Sequence, residues 1–130
     1  MNEQASTERI EPFLQFCVFC DAFATTPEGK PVFVGVFDSL KKPSRVPQFL
    51  IILRWIGGMG EHDVRLRILN PDLNEIFAQP NQKIILPHKA QGAQAVYQFV
   101  NFAFAGSGVY WVEISVNNNI YAAIPLPVYE

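Results

Sequence analysis

A period of two runs through the hydrophobic residues of this chain. Val64, Leu66 and Ile68 alternate with Asp63, Arg65 and Arg67, and Tyr110, Val112, Ile114 and Val116 alternate with Trp111, Glu113 and Ser115. Successive side chains of a strand point to opposite sides of a sheet, so each run reads as a strand with one dry and one wet face. Turn signals cut the runs short: Gly57-Gly58-Met59-Gly60, Asn70-Pro71-Asp72, Gly106-Ser107-Gly108 and Asn117-Asn118-Asn119. Short strands at this spacing specify an all-β chain, a sandwich or a barrel.

Read along its length, the chain opens with a flexible arm over residues 1–11 and continues as one domain over residues 12–130. The first strand, residues 13–20, places Leu14, Phe16, Val18 and Cys20 on one face and Phe13, Cys17 and Phe19 on the other. Both faces are apolar, so this strand is internal or covered. Residues 25–31 form a loop. A second strand follows over residues 32–37, where Gly35 marks a bulge or a close backbone approach. Residues 39–47 are a solvated connection. Residues 48–56 belong at the centre of a sheet, because their apolar run would otherwise aggregate. Further strands are expected over residues 63–69, 75–78, 83–86, 94–104, 109–116 and 120–128. Pro125 and Pro127 put the last of them at an edge. The predicted architecture is a two-layer sandwich of seven to nine mostly antiparallel strands. Its core is drawn from Phe16, Val18, Val34, Val36, Leu50, Ile52, Val64, Leu66, Ile68, Phe102, Phe104, Tyr110, Val112, Ile114 and Val116. Val96 and Val100 are expected to face inward with Phe102 and Phe104.

Composition narrows the functions. With 130 residues, 49% of them hydrophobic and 17% charged, the chain buries a core of its own and is not disordered. So little charge leaves apolar surface to be hidden against a protein partner or in a homo-oligomer. The net charge of −2, without any run of Lys or Arg, argues against nucleic acid and against an anionic membrane. No basic segment leads into an apolar one near the N-terminus and no apolar stretch approaches a membrane span, so a cytoplasmic protein is expected.

Each constellation that could carry chemistry has a plainer reading. Cys17-Val18-Phe19-Cys20 is a CxxC without a second pair, and strand positions three apart point to opposite faces, so two buried, reduced thiols are expected. Glu61-His62-Asp63 offers ligand atoms, yet neighbouring strand residues diverge, so no metal is expected. The glycines at 57–60 lack the Lys-Ser/Thr of a phosphate loop, and Gly106-Ser107-Gly108 lacks the spacing of a nucleophile elbow. No catalytic residues and no cofactor are assigned. Arg54 interrupts an apolar strand and needs a carboxylate, with Asp38 the expected partner in a structural ion pair. Trp111, Trp55 and Arg54 are the candidate ligand-binding residues, as an aromatic platform beside a cation for a sugar or peptide. An enzyme would need Asp21, Asp38 and Glu61 to converge in one cleft.

Several segments in order resemble a family of small bacterial proteins known only as a domain of unknown function. They are Cys20-Asp21-Ala22, Gly29-Lys30, Gly35-Val36-Phe37-Asp38, Pro47 with the strand to Arg54, Gly60-Glu61-His62, Asn70-Pro71-Asp72, Gly108-x-Tyr110 and Pro125-Leu126-Pro127-Val128. The likeness spans about residues 13–128. That pattern often carries Gly after Pro-Asp, where this chain has Leu73. The resemblance implies an immunoglobulin-like β-sandwich and no reaction. The leading expectation is therefore a non-catalytic interaction module that self-associates or binds a partner protein. A small-ligand or carbohydrate-binding sandwich is the alternative.

Overall fold

The alternating runs are strands in the computed structural model, which describes residues 9–41 and 45–130. Among those residues there are eleven strands and no helix: β1 (Phe13–Cys20), β2 (Ala22–Thr25), β3 (Pro31–Val34), β4 (Leu40–Lys41), β5 (Arg45–Ile56), β6 (Gly60–Leu69), β7 (Glu75–Ala78), β8 (Gln82–Leu86), β9 (Ala93–Ala103), β10 (Gly108–Val116) and β11 (Asn119–Tyr129). They form a three-stranded sheet in the order β1-β5-β9, a larger sheet in the order β4-β11-β10-β6-β7 with β8 also on β6, and a β2-β3 hairpin. All pairings are antiparallel except the short β11–β4 contact.

Two apolar clusters hold these sheets. The larger cluster lies between them and joins Phe49, Ile51, Leu53 and Trp55 of β5 and Tyr97 and Phe99 of β9 to Val64, Leu66 and Ile68 of β6 and the inward residues of β10 and β11. That makes the fold sandwich-like, with β6 and β10 in the predicted phase. The second cluster, Cys20, Leu50 and Ile52 with Phe16, Val18 and Phe33, lies on the other face of the small sheet. There the β2-β3 hairpin covers it, and Phe33 sets its ring edge-on to Phe16 at 5.6 Å. β5 is thus buried on both faces, which explains its unbroken apolar run.

The strand count exceeds the expected seven to nine, and several inward assignments change. Phe16, Val18, Leu50 and Ile52 belong to the hairpin-covered cluster, while their neighbours Phe19, Phe49 and Ile51 fill the space between the sheets. Val34 and Val36 are 51% and 62% exposed. Val34 pairs with Ala22 on the side of the hairpin away from Phe33, and Gly35, at φ 69°, turns the chain out of β3 before Val36. Val96 and Val100 also face solvent. Asn101 takes a left-handed φ of 53°, which breaks the alternation of β9 and lets Phe99, Phe102 and Phe104 all pack inward. β2 was not expected: it takes up residues left unassigned between the first strand and the predicted loop, and Leu40–Lys41 pairs with β11 where a plain connection was expected. Of the N-terminal arm, residues 1–8 lie outside the described residues, and Ile10 exchanges two backbone hydrogen bonds of 2.9 Å with Met59.

Three turns follow their sequences. Asn117 and Asn118, at φ 50° and 69°, form the two-residue turn between β10 and β11, both in the left-handed region that a type I′ turn requires. Gly35 lies so close to Asp21 that an added Cβ would collide with the carboxylate. Pro71 stands at the second position of a turn closed by the Leu73 N–H on the Asn70 carbonyl at 2.8 Å, and Leu73 follows at φ 67°.

Candidate interaction surface

A sheet edge exposes unpaired N–H and C=O groups, and folded proteins guard such edges with charge, proline, bulges or cover. The larger sheet does so. β11 carries Pro125 and Pro127, and alternate residues direct their N–H groups to the same side, so both missing donors lie along one edge. β7 is four residues long and carries Glu75, and β8 carries Lys83 between Pro80 and Pro87. In the small sheet β1 is partly covered: Phe19 accepts from the Phe37 N–H at 2.9 Å, and Leu14 N–H donates to the Tyr121 hydroxyl at 3.2 Å.

β9 lacks the charge and proline guards, and is interrupted only at Asn101, whose carbonyl accepts from the Arg45 guanidinium at 2.9 Å. Its eleven residues, Ala93–Ala103, contain no charge and no proline, and the chain is uncharged from Lys89 to Glu113. β9 pairs with β5 on one side, and no strand among the described residues pairs with the other. Its outward face carries Gln94, Val96, Gln98 and Val100. Val96 is 39% and Val100 62% exposed. Beside them a shallow cleft of about 240 Å³ opens between the hairpin and this face, lined by Ala22, Phe23, Gln48, Leu50, Val96 and Gln98. Gln94 Oε1 is buried without a hydrogen-bond partner among the described residues. Tyr97, on the inward face of the same strand, has its hydroxyl pushed up to about 12 by burial.

The candidate ligand residues do not form one site. Trp55 is fully buried between the sheets, where its ring stands edge-on to Tyr121 at 5.5 Å. Arg54 lies on the opposite face of β5, its guanidinium against Gly92, and makes no ion pair with Asp38 or with any other described residue. Asp38 instead accepts a 3.4 Å hydrogen bond from the Ser39 hydroxyl. Trp111 is half-buried on the outer face of β10, between Pro125 of β11 and Leu69 of β6. Next along that face Arg67 Nε donates to Glu113, Arg67 also reaches Glu75 at 3.2 Å, and Arg65 stands 3.9 Å from Glu75. These bonds, Glu113 first, raise the Arg67 pKa. The acids do not gather either: Asp21 follows Cys20, which pairs with Leu50, whereas Glu61 lies beyond Ile56, which pairs with Phe13 at the other end of β1.

The remaining constellations are structural in geometry. Cys17 packs into the inter-sheet core and Cys20 into the hairpin-covered cluster, both as free thiols. Burial pushes the Cys17 thiol up to about 12 and also raises Cys20. His62 is buried, while Glu61 and Asp63 turn to Lys83, which bonds Asp63 at 3.0 Å. Asn117 Oδ1 accepts from the Asp63 N–H at 3.0 Å, so its amide nitrogen is the group facing His62 Nδ1 at 3.0 Å. Nδ1 is therefore the acceptor, and Nε2–H donates to the Met59 carbonyl at 2.9 Å. No group of three His, Cys, Asp or Glu among the described residues is arranged to hold a metal, and no helix there is long and apolar enough to cross a membrane.

Sequence reasoning missed the β9 edge. Its signal was present in the long uncharged stretch, but strand order within a sheet is not written in a period of two. Comparison with known proteins adds a family and no activity. A family model described as a family of unknown function, DUF6941, matches residues 15–129. No curated protein matches the chain.

Proposed function

We propose that this chain, which belongs to the family of unknown function DUF6941, is a non-catalytic interaction module that takes on protein along the β9 edge and the outer face of its small sheet. The observation that carries this reading is the eleven-residue edge strand without charge or proline. An added strand would satisfy the open backbone groups, while Val96, Val100 and the cleft beside Phe23 would read its side chains. The frame would be immunoglobulin-like. In support, the Tyr110 hydroxyl donates to the Gly106 carbonyl at 2.7 Å and accepts from its N–H at 3.1 Å, pinning the crossing from β9 to β10 as a tyrosine corner does. Two free cysteines fit a reducing, cytoplasmic setting. Amide hydrogen exchange tests the reading, comparing the dilute chain with the concentrated chain and with any protein co-purified with it. New protection is expected along Ala93–Ala103. Protection confined to the larger sheet, with β9 unchanged, would end it.

A second reading, a small polar ligand such as a sugar, is favoured by one feature. A cleft of about 400 Å³ lies between the Asn70–Pro71–Asp72 turn and Ala105–Gly106–Ser107, floored by Tyr110. Titration with mono- and disaccharides, followed by amide shifts at Asn70 and Ser107, tests it. Unmoved signals at millimolar sugar would remove it.

A further inference from the structure

One partner is present wherever the chain is, and that is its own copy. We infer that the chain dimerises by antiparallel pairing of β9 with β9 about a two-fold axis through Val96. The small sheets of two chains would then join into one sheet of six strands. This rests on the reading of β9 as the docking edge and names its occupant.

The axis follows from the symmetry of strand pairing. In an isologous antiparallel pair, residue i faces residue j with i + j constant. A two-fold axis perpendicular to the sheet keeps each face on its own side, so i and j share parity and the axis passes through a residue. The regular part of the edge ends where Asn101, at φ 53°, breaks the alternation. An axis at Val96 uses the stretch before that break in full, pairing residues 92–100 with themselves.

The pairs that result fit one another. On the outer face Val96 meets the partner's Val96, and Gln94 meets the partner's Gln98. On the inner face Ala95 stands opposite the partner's Tyr97 and Ala93 opposite the partner's Phe99, small against large. Charge fits as well. Self-pairing brings like side chains together, so a charged edge would repel its copy, and β9 carries no charge. The exposed Val96 and Val100 of both chains would line one apolar strip across the new sheet.

Light scattering behind size exclusion over a dilution series is the test, with three variants. Wild type is expected at twice the monomer mass, dissociating on dilution. Val96→Lys sets two lysines face to face at the axis and is expected to weaken association by roughly 100-fold or more. Its side chain points to solvent, so circular dichroism and the melting curve should report an intact fold. Val96→Cys is expected to form an intersubunit disulfide on oxidation, because directly opposed Cβ atoms approach to about 4.5 Å, within reach of a disulfide after a small shift. Val100→Cys faces the partner's Gly92 and is expected not to, and both share the same background of a partly buried Cys17 and a buried Cys20. A wild-type chain that stays monomeric at millimolar concentration overturns self-pairing and leaves β9 open to another protein. A dimer that survives Val96→Lys, with no Val96→Cys cross-link, overturns self-pairing about Val96, and amide protection in that dimer confined to the larger sheet would overturn the reading of β9 beneath it. A Val100→Cys cross-link overturns the axis alone.

Discussion

The two sheets finish their outer faces differently. On the larger sheet, Arg65, Arg67, Glu75 and Glu113 tie β6, β7 and β10 together, and Lys83 holds Asp63 across the β6–β8 pair. On the small sheet the outer face is apolar under the β2-β3 hairpin and, beyond it, a mixture of Val and Gln with the single cation Arg54. The titratable groups divide the same way. Arg67 and Lys83 have raised pKa values because a carboxylate holds their protons, whereas Cys17, Cys20 and Tyr97 have raised values because burial excludes their charge. The larger sheet is made to face water on its outer side. The small sheet is covered in part by its own hairpin, and the proposed partner would cover the outer face beyond it.

The largest effect that would break this comparison concerns β5. If the hairpin makes the outer face of the small sheet a true second core, Ile52→Ala under the hairpin should cost as much as Ile51→Ala between the sheets. Both residues are fully buried, and each truncation is expected to destabilise by about 2–5 kcal/mol in urea unfolding. An Ile52→Ala cost under about 1 kcal/mol would mean that the hairpin covers this face loosely. The small sheet would then be a surface on both sides of β9.

The alkaline limb of stability comes next. In the unfolded chain Cys17 ionises near its ordinary 9.0, and in the folded protein not until about 12. The unfolded state therefore loses this proton first. The stability tied to it is fully present below pH 9 and falls as pH rises toward 12, on the order of 4 kcal/mol in total. Tyr97 adds a later loss between its ordinary 10.0 and about 12. Lys83, with its folded pKa raised by Asp63, also loses stabilisation at high pH, but its exposed pair is screened by salt. Cys17→Ala should therefore flatten the stability curve between pH 9 and 10 in high salt, as read by chemical denaturation. A mutant curve parallel to that of wild type would place the loss at groups other than Cys17, with Cys20, also raised by burial, next to be tested.

The same contrast explains what could be read from sequence. β6 and β10 face water on one side, so Arg65, Arg67, Glu113 and Ser115 mark the wet face and fix the phase of Val64 through Ile68 and Tyr110 through Val116. β1 and β5 are apolar on both faces, and a run such as Phe49 through Leu53 has no phase to read. The choice between Ile51 and Ile52 is made by the hairpin, whose strands were hidden beside a Pro-rich loop. In β9 a single residue, Asn101, inverts the pattern, and nothing local distinguishes it from an ordinary strand Asn. The turns were legible because their chemistry is local: Asn117-Asn118, Asn70-Pro71 and the close approach at Gly35. The candidate ligand residues scattered because Trp55 and Arg54, adjacent in sequence, must take opposite faces of one strand, and Trp111 belongs to the other sheet. The β9 edge depends on strand order, which short-range pattern does not encode.

The smallest expected effect sharpens the comparison from the larger sheet. The larger sheet also exposes apolar residues, Ile76, Ile85 and Ile120 among them, and at the turn before β7 Leu73 is 63% exposed and held at φ 67°. A side chain with a Cβ costs about 1–2 kcal/mol in that region, and glycine avoids the clash while giving back part of the gain as backbone entropy in the unfolded chain. The turn leaves Leu73 no alternative. Asn70 Oδ1 accepts the Asp72 and Asn74 N–H groups at 3.0 and 2.9 Å, and the Asn70 N–H donates to the Asn74 carbonyl at 2.9 Å, so the loop is closed on both sides of Leu73. Leu73→Gly is therefore expected to stabilise the protein by about 1 kcal/mol in urea unfolding. Leu73→Ala, which keeps the Cβ, should change stability by less than about 0.5 kcal/mol. If both variants destabilise equally, Leu73 is held by packing rather than tolerated under strain. The turn, with the 400 Å³ cleft beside it, would then join β9 as a second place where apolar surface is kept for a partner.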